Sequence, residues 1–129
     1  MTIERGEGDL LKADVEALVN PVNTRGVMGK GLALQFKKAF PEVFGDYARA
    51  WRAGEVVVGK VFVVERVGAP RWIVHFPTRD DWRGASRVEW VRDGPVDLVR
   101  EVEGRGIGSI AVPALGCRLG GLEWGGWGR

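Results

Sequence analysis

The sequence predicts an α/β domain in which a mixed, mostly parallel sheet is flanked by helices. Three observations carry that expectation. Short runs rich in β-branched and aromatic residues recur along the chain. Amphipathic helical stretches separate them, and two of the runs open directly into glycine-rich loops. With 129 residues the chain has room for one domain of ordinary size, and 45% apolar against 28% charged residues supplies a core and argues against disorder.

The first strand is expected at residues 17–22 (ALVNPV), an apolar run broken at Asn20-Pro21 so that its end delivers polar side chains into a loop. Residues 24–31 (TRGVMGKG) form the first glycine loop. Leu32, Phe36 and Phe40 then recur at i, i+4 and i+8 with Lys37 and Lys38 on the other side, the pattern of an amphipathic helix. Pro41 ends that helix and suits the first turn of the next, which runs to about Trp51. Residues 56–64 and 72–76 read as neighbouring strands joined by a turn at Gly68-Ala69-Pro70. Residues 86–103 set Val88, Val91, Pro95, Leu98, Val99 and Val102 on one helical stripe. A proline inside a helix costs ~3 kcal/mol, so Asp93-Gly94-Pro95 is expected to end one short helix and begin another. Residues 109–113 (SIAVP) form a last buried strand, and a second glycine loop follows at 115–122.

Several function classes fall away on composition. A formal net charge of +2 permits an anionic partner without demanding one. One cysteine, Cys117, excludes an intrachain disulfide, and with a single histidine, His75, no familiar zinc set can form. Residues 1–7 lack the apolar core of a signal peptide and no apolar run is long enough for a membrane span, so a cytoplasmic protein without membrane, metal or cofactor is expected. A P-loop would need glycine where Thr24 stands and Ser or Thr where Gly31 stands. A dinucleotide fingerprint beginning at Gly29 meets Leu34 in place of its third glycine. Yet 20 glycines, well above the usual ~7%, and two loops that follow strands point to amides wrapped around a diphosphate.

Four motifs stand in order along the chain: Gly8-Asp9-Leu10-Leu11; Asn20-Pro21-Val22-Asn23; GVMGKGLA at 26–33; and PALGCRLGGL at 113–122. In them the chain resembles a macrodomain, and more narrowly the macrodomains of the DarG antitoxin family, related to the terminal ADP-ribose protein glycohydrolases. The resemblance implies one macrodomain over residues 1–129, shortened at its C-terminal end by a helix and a strand. It implies an ADP-ribose cleft at the strand ends and removal of ADP-ribose from thymidine bases of single-stranded DNA, reversing a DarT-type toxin. A monomer is expected. Carried over by position, Asp9 accepts from the adenine amino group beside Gly8. Asn20, Pro21, Val22 and Asn23 line the cleft, with both amides facing the distal ribose or the attached base. Met28, Gly29, Gly31, Leu32, Ala33 and Leu34 lie near the phosphates and distal ribose. Thr78 and Arg79 reach the scissile end, and Gly116, Cys117, Arg118, Leu119 and Gly120 wrap the diphosphate.

At two of these positions the sequence departs from the family. Arg79 stands where the family carries its catalytic lysine; arginine stays charged and cannot serve as base or nucleophile. A non-catalytic ADP-ribose reader is therefore the alternative implication, and an incomplete fragment the third. Arg118 replaces a glycine and adds a cation near the diphosphate. Gly120 occupies the position of an aspartate in the protein-directed relatives, as it does in DarG. His75 reads as a satisfied core histidine and Cys117 as a small packing residue without a base partner. Asp80 and Asp81 read as surface-loop charge and Lys37, Lys38, Arg83, Arg87 and Arg92 as solvated faces, with a guide for single-stranded DNA at Trp82, Arg83 and Arg87 as the alternative.

Overall fold

A strand whose residues are all buried has to lie in a sheet covered on both faces, and Trp72–Pro77 is such a strand. The computed structural model describes residues 2–5, 10–22, 31–77 and 93–113. In chain order the elements are β1 (Thr2–Arg5), a 3-10 turn at Leu10–Lys12, β2 (Ala17–Val22), α1 (Gly31–Ala39), α2 (Pro41–Arg52), β3 (Phe62–Glu65), β4 (Trp72–Pro77), α3 (Gly94–Gly104) and β5 (Ser109–Val112). Among the described residues the five strands form one sheet in the order β1-β5-β2-β4-β3. β1, β5, β2 and β4 are parallel, and only the edge strand β3 is antiparallel, paired with β4.

The pleat sends alternate side chains of each strand to opposite faces. Ala17, Val19, Trp72, Val74, Phe76, Ile110 and Val112 pack with Leu98 and Val102 of α3 on one face. On the other, Leu18, Ile73 and Ala111 meet Leu10, Phe36 of α1 and Val43 of α2. Val22 continues that face against Ala33, Tyr47, Ala50 and Val56. Because Ala33 shares a cluster with Tyr47 and Ala50 while Phe36 shares one with Val43, α1 and α2 form an antiparallel hairpin. No helix among the described residues is long and apolar enough to cross a membrane.

Where the structure differs from the sequence expectation, local chemistry explains it. The strand expected at 56–64 is confined to Phe62–Glu65. Gly59 adopts a positive φ of 93°, Val56 turns under α2 and Val57 is exposed, so residues 56–60 form a connection instead. β1 was not foreseen: Thr-Ile-Glu-Arg offers one apolar residue, and its place is set by pairing with β5. Pro95 sits in the first turn of α3, where its missing N–H costs nothing, so the second half of the long stripe begins at Gly94 as expected. The first half lies outside the described residues.

Candidate functional site

Ligands of open parallel sheets bind beyond the carboxyl ends of the strands, where successive connections leave in opposite directions. Here that point is between β2 and β4. The next described helices after β2, α1 and α2, cover one face and the next after β4, α3, covers the other, so the crevice that a switch point creates is expected at the paired strand ends Val22 and Pro77. α1 starts at this edge, since Ala33 in its first turn packs with Val22. As at any helix start, the first-turn amides of α1 lack intrahelical acceptors, a setting that suits an anion.

Directly beneath the strand ends lies a buried polar pair. Asn20 of β2 and His75 of β4 are register partners, both fully buried, and Asn20 Nδ2 donates to His75 Nδ1 at 3.2 Å. An accepting Nδ1 leaves the ring proton on Nε2. The imidazole is stacked on Phe62 of β3, with centroids 5.9 Å apart and planes 12° from parallel, and lies 5.6 Å from the Tyr47 ring of α2. Burial pushes its pKa down to about 3, so the ring is neutral near pH 7. Asn20 Oδ1 and His75 Nε2 have no hydrogen-bond partner among the described residues. The pair ties β2 to β4 at the floor of the crevice without carrying charge.

A second polar contact holds the opposite side. Asp97 in α3 accepts the Val61 N–H on Oδ2 at 2.8 Å and the Arg100 Nε–H on Oδ1 at 3.0 Å. It fixes the start of β3, and hence Phe62, beside His75. Among the described residues no group of His, Cys, Asp and Glu could hold a metal ion.

Residues 19–126 match the family model of the Macro domain. The chain belongs to the macrodomain family. This macrodomain is 50% identical over 124 residues to a Mycobacterium tuberculosis protein named DNA ADP-ribosyl glycohydrolase, covering 95% of the chain and 35% of the relative. The chain thus spans about a third of the length of the curated relatives it matches. Its backbone matches the macrodomain of Thermus aquaticus DarG with a TM-score of 0.80 at 48% identity, over 96% of this chain and 83% of that one. It also matches Thermosipho africanus DarTG in complex with ADP-ribose, with a TM-score of 0.77 at 36% identity, over 95% of this chain and 35% of that one.

In the macrodomain frame the expected site residues follow the four parallel strands one by one. Gly8 and Asp9 come after β1; Asn23, Met28 and Gly29 after β2; Thr78 and Arg79 after β4; and Gly116, Cys117, Arg118, Leu119 and Gly120 after β5. These residues themselves lie outside the described ones, as do Asp80, Asp81, Trp82, Arg83 and Arg87. Of those described, Gly31 begins α1, Pro21 is partly exposed at the end of β2, and Leu32 and Leu34 are half-buried in the first turn of α1. Three others are buried in this structure. Asn20 does not face outward: its side chain is 0% exposed and bonded to His75. Val22 and Ala33 pack together in one cluster with Tyr47 and Ala50 of α2. Sequence reasoning missed the link between Asn20 and His75; the available signal was that each is a lone polar residue two positions before the end of an apolar strand.

Proposed function

We propose that this macrodomain binds ADP-ribose at the ends of β5, β2 and β4 and releases it from thymidine bases of single-stranded DNA. In this reading it acts as one domain, a cytoplasmic monomer that reverses a DarT-type toxin. The observation that carries the proposal is the 50% identity over 95% of the chain to a protein named DNA ADP-ribosyl glycohydrolase. Two features support it. The start of α1, whose first-turn amides suit an anion, packs beside the end of β2, and β1, β2 and β5 run on into motif segments while β4 runs on into Thr78 and Arg79. Asp9 would then accept from the adenine amino group, the amides of 116–120 would hold the diphosphate, and Asn23 and Thr78 would face the distal ribose and the scissile bond. Arg79 supplies a fixed positive charge for phosphate, ribose or developing negative charge; the proton transfer falls to another group.

Arg79 also favours a second reading, an ADP-ribose reader that holds modified DNA without cleaving it. One experiment separates the two. Thymidine-ADP-ribosylated single-stranded DNA is incubated with the chain and with its Arg79→Lys variant, and free ADP-ribose is followed. The proposal expects release by both, faster for the variant; release by the variant alone replaces it with the reader.

A further inference from the structure

On the α1/α2 face, the side chains of β2 and β4 are apolar at every step but one. The register partners there are Leu18 with Ile73, Asn20 with His75 and Val22 with Pro77. Leu18 and Ile73 pack with Phe36 and Val43, and Val22 packs with Ala33, Tyr47 and Ala50. Asn20 and His75 lie between these two clusters and are fully buried.

This middle step is costly to bury. Asn20 Nδ2 donates to His75 Nδ1 at 3.2 Å, but Asn20 Oδ1 and His75 Nε2 gain no partner among the described residues. Two apolar side chains of similar shape would hold the layer at least as well. What the polar pair adds is placement. The imidazole is stacked on Phe62 and lies beside Tyr47, so the direction of Nδ1 is fixed. Shifting β2 along β4 by one residue would send the Asn20 side chain to the face opposite His75. A shift of two would set it against Ile73 or Pro77. Either way Nδ2 would be buried without its acceptor, so the contact admits one register where an apolar layer would tolerate several.

That register decides how the two strand exits stand to one another. Val22 and Pro77 are register partners, and Asn23 and Thr78 come next in the chain. The segments read above as holding adenine and diphosphate follow β1 and β5, which contribute nothing to the pair. We propose that Asn20 and His75 are positioning residues for the distal ribose: they set the β2 and β4 exits, and so govern what ADP-ribose gains over ADP. The inference rests on the ADP-ribose reading of the cleft and divides that cleft by strand, with β1 and β5 serving the ADP part and β2 and β4 the distal ribose.

The test compares ADP with ADP-ribose by calorimetry on the whole chain. The double variant Asn20→Leu, His75→Leu removes both polar partners together and should melt no lower than the unaltered chain. It should bind ADP as before and lose about tenfold in affinity for ADP-ribose. With thymidine-ADP-ribosylated single-stranded DNA its kcat should fall about a hundredfold, and KM should change far less. His75→Gln, which offers Oε1 to Asn20 Nδ2, should keep most of the preference for ADP-ribose over ADP. Unchanged ADP-ribose affinity in the double variant, an equal loss for both ligands, or no preference for ADP-ribose in the unaltered chain overturns the inference. So does a double variant that melts well below the unaltered chain, since the pair would then serve stability. Failure of the unaltered chain to bind ADP-ribose overturns the preceding functional proposal instead. Binding without release makes the chain a reader and leaves the calorimetric comparison in force.

Discussion

His75 takes no part in acid–base chemistry near neutral pH, yet it shapes the response of the protein to acid. Its folded pKa of about 3 lies well below the ordinary value of 6.5, because burial penalises the imidazolium. Between these values the unfolded chain binds a proton that the native chain refuses. The contribution is therefore fully present above about pH 6.5 and declines as pH falls toward 3, by at most about 1.4 kcal/mol per pH unit. Urea denaturation across about pH 7 to 4 should show that decline. His75→Gln, which keeps an acceptor for Asn20 Nδ2 but cannot titrate, should flatten it; an equally steep profile in the variant would assign the acid sensitivity elsewhere. Removing the pair altogether is different. Asn20→Leu leaves Nδ1 without its donor in the buried layer, and a loss of about 1–3 kcal/mol is expected in the same denaturation assay.

Between elements, α3 comes close against β4 at Gly94. A Cβ on Gly94 would stand 2.6 Å from Phe76 Cζ, and Phe76 is fully buried, so the ring has no free space to yield. Gly94→Ala should cost about 1–3 kcal/mol, read as a lower midpoint in thermal unfolding. It should also weaken ADP-ribose binding, because Phe76 stands one residue before the end of β4 at Pro77; a normal melt would show that the helix start simply shifts. At this scale much was legible in the sequence. Ala17–Val22, the helix started by Gly31, the helix opened by Pro41, Trp72–Pro77 and Ser109–Val112 all announce themselves, because their burial is written in local apolar pattern and proline chemistry. β1 was not legible, since the partner that makes Thr2–Arg5 a strand lies more than a hundred residues away. The shortening of β3 depended on a positive φ at Gly59, and sequence does not distinguish that glycine from one at rest in a turn. The site divides in the same way. The glycine loops expected to form it lie outside the described residues, and the inward turn of Asn20 required knowing that His75 is its register partner.

For the whole molecule, a ligand that binds only the native state stabilises it by mass action. ADP-ribose at a hundredfold its Kd should add about 2.7 kcal/mol, a rise of about 10 °C for a domain of this size, in differential scanning fluorimetry. Asp9→Ala should cut that shift sharply without lowering the melting point of the free protein. An equal shift in the variant would remove Asp9 from the site. The order of the sheet has its own outcome during synthesis. β5 is inserted between β1 and β2, pairing Ser109 with Thr2 and Ile110 with Ala17. Until residue 109 has left the ribosome, one long edge of β2 and the whole of β1 have no neighbour, and any second nascent chain can occupy the gap. The sheet can thus close only when its late-made strand fills a gap left open since the first residues were translated.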